Sequence, residues 1–234
     1  MYSFIFAVAA VFGLIDILMY WRIPNVPPLQ EERLRIWEVI GRPLRNPSFR
    51  RFLLYAASNS VSGSVIGAFI WLYAFDVMQY SKFTSNLYLV VIASFATILT
   101  ARWGGSLADR FGNRAVLRLT SGVIVFSPLL WALSPPESYL LPFLAALVGG
   151  ACGGINMTLG MNLMFAMTPR ASRPAYVAMA SLATGVAGFA APILAGAATQ
   201  ALSGVRIPFG PWEFGNLHLL LFAVCLYRIG HTIW

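Results

Sequence analysis

Gly104-Gly105-Ser106-Leu107-Ala108-Asp109-Arg110-Phe111-Gly112-Asn113-Arg114 is a polar island between two apolar runs, Phe83–Ala101 and Ala115–Leu133. Each run approaches the roughly 20 apolar residues that an α-helix needs to cross a bilayer core about 30 Å thick. Neither alternates apolar and polar residues as a barrel strand does, so the pair reads as two membrane-crossing helices joined by a tight polar turn. In that turn Gly105 permits close backbone approach and Gly112 marks a turn or helix start. Asp109 lies in sequence among Arg102, Arg110 and Arg114. A carboxylate placed there can accept charge-assisted hydrogen bonds or face the positive N-terminal end of a helix.

Five more runs of the same kind flank this pair: Met1–Tyr20, Phe52–Phe75, Tyr139–Met167, Ala175–Leu202 and Phe214–Tyr227. The 234 residues are 59% hydrophobic and 10% charged, whereas a soluble domain is about a quarter charged. That balance excludes an ordinary soluble domain and predicts an all-α integral membrane protein with about seven transmembrane helices. The first run lacks a basic leader and a small-residue cleavage site and contains Asp16, so it reads as a span and not as a signal peptide. Two cysteines exclude a disulfide-stapled secreted domain.

The net charge of +8 acquires meaning from its placement. The first connection carries Arg22, Arg33, Arg35, Arg42, Arg45, Arg50 and Arg51; the third carries Arg102, Arg110, Arg114 and Arg118; the fifth carries Arg170 and Arg173. The even connections hold only Lys82 and Arg206. Cations near span ends mark the cytoplasmic side. The amino end is therefore expected outside, and the carboxyl end, marked by Arg228, in the cytoplasm. The charge reads as an inner-face girdle beside anionic lipid, not as a nucleic-acid site.

The chain then divides into a leading transmembrane helix (1–20), a cytoplasmic loop (21–51) and a six-helix bundle (52–234). Within the loop, Leu29, Ile36, Trp37, Val39 and Ile40 interleave with Glu31, Glu32, Arg33, Arg35 and Glu38. An interfacial helix and a plain tether both fit that pattern. An apolar run is already under way at Met1 and only a stub follows Arg228, which reads as a fragment of something larger.

The spine Gly105, Leu107, Ala108, Asp109, Arg110, Gly112 and Arg114 resembles the inner-loop signature of the major facilitator superfamily of transporters, with Asn113 in place of the first of two terminal basic residues. The resemblance implies twelve helices in two halves joined by a long inner loop, with the signature after the second and eighth helices. Here it follows the third run and a long cationic loop follows the first. Runs one to seven would then be the sixth to twelfth helices: the carboxyl half plus the last helix of the amino half. Asn46–Arg51 is similar to the start of the seventh helix. Pro169–Tyr176 is similar to the turn before the eleventh, and Gly185–Gly196 to that helix's Gly/Pro stretch. The implied function is secondary active transport of a small solute by alternating access, with Gly105, Leu107, Asp109, Arg110, Gly112 and Arg114 as an inner-gate motif. The implied setting is the plasma (inner) membrane. The implied partners are the lipid bilayer, a missing amino-terminal half or a pairing subunit, and a small-molecule solute, with no nucleic acid.

In that family the seventh and tenth helices line the solute cavity, which points to runs two and five. Asn59 and Ser62 share a face with Gly63, and Trp71 lies toward the outer end. In run five, Gly149, Gly153, Asn156 and Gly160 form a stripe that reads as packing, while Thr158 and Asn162 form a second that reads as cavity. Hydrogen-bonded helix packing is the other reading for all of these polar residues. Asp16 and Asp76 lack a companion carboxylate or histidine at helical spacing, so no proton relay is expected. His218 reads as a packing residue, His231 as part of the inner tail, and Cys152 and Cys225 as small buried apolar residues. No metal-ligand cluster, nucleophile–base pair or phosphate loop occurs, so neither an enzyme nor a cofactor is expected. A seven-helix receptor or sensor is the alternative class. Its retinal-binding form is excluded because the single Lys, Lys82, lies in a connection.

Overall fold

Eight helices carry the described residues of the computed structural model, which are 2–22, 36–209 and 212–233. They are α1 (Tyr2–Tyr20), α2 (Ile36–Arg45), α3 (Pro47–Val77), α4 (Lys82–Phe111), α5 (Asn113–Ala132), α6 (Leu140–Ala166), α7 (Arg173–Ala201) and α8 (Asn216–Ile233). A hairpin of β1 (Ile207–Phe209) and β2 (Trp212–Phe214) precedes α8, with Pro208 opposite Glu213. The chain divides into two units, residues 1–34 and 35–234. The first contains α1, whose side chains from Phe6 onward are exposed. The second contains the other seven helices. Helices α3 to α7 are long and apolar enough to cross a membrane.

Local chemistry sets the ends of these helices, and it moves several of them from where hydropathy alone puts them. Asn46, in extended conformation, caps α3: its side-chain oxygen accepts the Ser48 and Phe49 N–H groups at 3.1 and 3.3 Å, and Pro47 takes the first helical position. Of the amphipathic patch Leu29–Ile40, residues 29–35 lie outside the described residues; α2 begins at Ile36 and packs on α3 and α7, with Pro43 fully buried. Helix α4 runs ten residues past the apolar run, to Phe111, because nothing before Gly112 stops it. At 30 residues it is roughly 45 Å long, well beyond the hydrocarbon core. The polar island is therefore mostly helix, and the turn shrinks to Gly112 alone.

Helix α5 is interrupted at Ile124–Val125 by Pro128, which has no N–H to offer the Ile124 carbonyl. That carbonyl instead accepts the Ser127 N–H at 3.2 Å. Helix α8 starts two residues later than its apolar run, because Phe214 belongs to β2, and it continues to Ile233. Arg228 and His231 consequently lie inside a helix and not in a tail.

Two helix pairs form the closest associations, α3 with α7 and α4 with α6. In membranes, small residues allow this approach where no hydrophobic force drives it. A Cβ at Gly150 would stand 2.1 Å from the Ala93 carbonyl oxygen. The Thr97 hydroxyl donates to the Gly150 carbonyl at 2.8 Å, which closes the same contact. The expected packing stripe is only partly used. Gly149 meets Ser127 and Asn156 accepts the Thr120 hydroxyl, both on α5, whereas Gly153 and Gly160 face open space. The α3–α7 pair is held by Ser60, whose hydroxyl donates to the Thr184 carbonyl at 2.8 Å, and by the Phe49 and Tyr176 rings, 4.6 Å apart.

At the end of the bundle remote from Gly112, aromatic rings close the structure. Tyr73 meets Trp131 and His218 edge-on at 6.3 and 5.1 Å, and Tyr80 stacks on Tyr139 at 5.5 Å. His218 thus serves packing, as the sequence implied. Tyr80, in the connection between α3 and α4, donates to the Ser138 carbonyl. Burial, reinforced by Tyr88 and Tyr139, raises its phenol above the ordinary tyrosine range, so it remains a donor in mildly alkaline solution.

Candidate functional site

The gate-motif residues gather at one end of the bundle. Gly105, Leu107, Asp109 and Arg110 occupy the last two turns of α4, and Arg114 the first turn of α5. Between them Gly112 has φ +84° and ψ 146°, a conformation that only glycine adopts without strain. Its N–H donates to the Ala108 carbonyl at 2.8 Å, and its carbonyl accepts the Val116 N–H at 3.3 Å, so one residue ends one helix and begins the next. Asp109, Arg110 and Arg114 are exposed. Among the described residues no hydrogen bond or ion pair reaches the Asp109 carboxylate. The bonds expected from Arg102, Arg110 and Arg114 are not made, because the helical continuation sets Arg102 two turns, roughly 10 Å, back along the axis. Close approach also falls one residue earlier than expected: a Cβ at Gly104 would stand 2.7 Å from the Ile155 side chain, while Gly105 has nothing within 4 Å.

The expected solute residues are dispersed. Ser62 is buried and its hydroxyl donates to the Asn59 carbonyl at 3.0 Å, within its own helix. Asn59 is half-buried, and Trp71 packs 6.0 Å from Phe75. Thr158, donating to the Gly154 carbonyl at 3.1 Å, and Asn162 are exposed on one face of α6. None of the five lines the cavity that opens between α3, α5 and α8.

That cavity, of about 1090 Å³, lies between α3, α5 and α8 at the Gly112 end, with Leu163 of α6 and Met167, just past that helix, behind it. Three helical stripes face one another across it: Arg51, Tyr55 and Ser58 on α3; Arg114, Arg118 and Ser121 on α5; Tyr227 and His231 on α8. The spacing of three and four residues puts each set on one face. Hydrogen bonds tie the stripes together. Ser58 and Tyr227 hydroxyls are 2.6 Å apart, Tyr55 and Ser121 hydroxyls 3.0 Å. His231 stacks on the Tyr55 ring at 4.8 Å, with Nε2 3.3 Å from the Tyr55 carbonyl. Arginines and no carboxylate stand on this wall.

Beside it is Arg228, only 6% exposed, whose Nε and Nη1 have no hydrogen-bond partner. Sequence reading counted Arg228 as one more cation at a helix end. The signal that places it inside was present, however: it continues the apolar stripe Leu217, Leu221, Val224 and Cys225 at three- and four-residue spacing, and all five are buried. Cys152 and Cys225 are buried free thiols, and among the described residues no cluster of metal-ligating side chains occurs.

Long apolar helices joined by short polar turns define an integral protein of the lipid bilayer, of the helical-bundle class. Residues 88–229, from α4 into α8, match the Major Facilitator Superfamily, and the chain belongs to that family. It is accordingly a membrane transporter protein, and the receptor alternative has no support. No curated protein and no solved structure matches the chain.

Proposed function

We propose that α3 to α8 form one six-helix half of a secondary transporter that moves a small solute by rocking against a second half. The Asp109 turn carries this reading. A carboxylate with no partner among the described residues and the exposed Arg110 and Arg114 stand at the end of the bundle, where a second bundle can dock. Contact there in one state and release in the other would bias two arrangements of the halves. In this reading the Gly112 end is cytoplasmic, the remote aromatic end is outside, and the membrane is the plasma membrane. Residues 1–20 are then a leading helix of the other half, 21–51 the link between halves, and 52–234 the bundle itself. In this reading exposed Thr158 and Asn162 of α6 and half-buried Asn59 and Trp71 of α3 face the solute path, whereas Ser62, buried and bonded within its own helix, serves packing. The chain alone lacks one wall of that path and does not transport.

Sidedness is tested by single cysteines and a membrane-impermeant maleimide. Lys82→Cys is expected to react in intact cells and Asp109→Cys only in inverted vesicles; the reverse pattern overturns the orientation. Reading the DNA upstream of the first codon tests the half-transporter reading. Five further in-frame spans support a covalently joined amino half, and a promoter at that position overturns it in favour of a stand-alone chain.

A further inference from the structure

We infer that His218 is a proton-operated latch between the β-hairpin and α8, closed while its Nδ1 is bare and released when that nitrogen takes a proton. The Gly215 N–H, on the link between β2 and α8, donates to His218 Nδ1 at 3.3 Å. A backbone amide N–H can only donate, so the bond exists only with Nδ1 unprotonated. Imidazolium carries a proton on both nitrogens and has no acceptor left. Protonation therefore sets two donors face to face. It also places a cation in the first turn of α8, where the helix dipole opposes it. The ring is enclosed as well: it is 8% exposed and meets the Tyr73 and Phe214 rings, each at 5.1 Å. Imidazole is the side chain that changes charge between about pH 5 and 8, so mild acid operates this bond.

The released ring has a destination. His218 lines a pocket of about 320 Å³ together with Asp76, Ser203, Arg206, Glu213 and Asn216. The titratable and charged groups facing it are Tyr73 and Asp76 from α3, and Arg206 and Glu213 from the hairpin region. Glu213 is already engaged, 3.4 Å from Arg206. Among the described residues no hydrogen bond or ion pair reaches the Asp76 carboxylate; Gln79 Nε2 donates only to the Asp76 backbone carbonyl, at 2.7 Å. Asp76 is thus the open counter-charge for an imidazolium in that pocket. The other helices packed on α8 add none, because α5 and α7 carry charge only in their first two turns, as Arg114, Arg118 and Arg173, at the Gly112 end. Arg228, on α8 itself, stands roughly 15 Å further along the axis. Each protonation state therefore has its own partner, Gly215 or Asp76, as a two-state switch requires. Only the side of the membrane whose acidity is sensed rests on the proposed orientation; the titration requires neither that orientation nor transport.

Spin labels at Lys82→Cys and Ile207→Cys, both exposed and outside the pocket, test the latch by electron–electron double resonance. The sample is the purified full chain with Cys152 and Cys225 replaced by alanine. From about pH 8 to about pH 5 the distance distribution is expected to pass from one narrow population to two, the second growing with acid. His218→Asn keeps an uncharged acceptor and should hold the closed population throughout. His218→Phe keeps a ring without an acceptor and should hold the open population throughout. Asp76→Asn should lower the midpoint by up to about half a pH unit, the effect of losing an exposed counter-charge. If a His218 variant does not yield a monodisperse protein, Asp76→Asn, at an exposed position, carries the test. A distribution that ignores pH, a response in His218→Asn equal to that of the starting protein, or a midpoint unmoved by Asp76→Asn would each overturn the inference.

Discussion

At the scale of single residues, glycines in the Gly104–Gly112 island behave oppositely. Gly112→Ala forces a Cβ into a glycine-only conformation and is expected to cost about 1–3 kcal/mol. Gly105→Ala meets nothing within 4 Å inside a helix and should gain about 0.5–1 kcal/mol. Thermal unfolding of the purified variants in detergent should therefore show Tm falling for the first and rising for the second. The need for glycine at 112 was legible, because a turn glycine between two helical runs has few other meanings. That Gly104 and not Gly105 makes the close approach was not legible, since neighbouring positions differ by 100° on a helix and only the partner's position selects between them. Arg228 is the same lesson in reverse. Its position on the apolar stripe was readable, but counting it among cations at helix ends hid it.

For the elements, caps and breakers account for what hydropathy misses. An apolar window measures where hydrocarbon could surround a helix, not where the helix stops. It therefore ended α4 ten residues early and α8 six residues early, although the seven long helices were identifiable; the α2 region was left open between helix and tether. Asn46→Ala removes two accepted N–H bonds from the start of α3 and is expected to destabilise by about 1 kcal/mol. A drop in Tm with an unchanged helical signal in circular dichroism would confirm it, and no drop would refute the capping role. Pro128→Ala restores an N–H opposite the Ile124 carbonyl and should let α5 run unbroken. Spin labels at Arg118 and Leu133, spanning the break, would then report a narrower distance distribution. The candidate cavity was in principle readable at this scale. Arg51, Tyr55 and Ser58 repeat the spacing of Arg114, Arg118 and Ser121, each an arginine two turns from a serine. Which helices face each other is a tertiary fact, so two matching stripes could not be joined from sequence alone.

In the whole molecule, the charge distribution and the packing divide the labour. Cations gather toward the Gly112 end and aromatic rings close the other. Asn162→Cys, on the exposed α6 face, is expected to react with a water-soluble maleimide in the assembled transporter, whereas Leu194→Cys, exposed on α7, should stay unreactive in lipid. Equal reactivity at both would remove α6 from the solute path. Between the ends, α4 and α6 touch backbone to side-chain-free backbone at Gly150, and there the structure has a genetic consequence. Every missense change at that codon adds a Cβ where the Ala93 carbonyl already stands, 2.1 Å away. A randomised library should therefore lose all replacements at 150 while keeping alanine at Gly153, three positions on and facing open space. Heredity at this position has two outcomes, glycine or a lost helix pair, and no gradient between them.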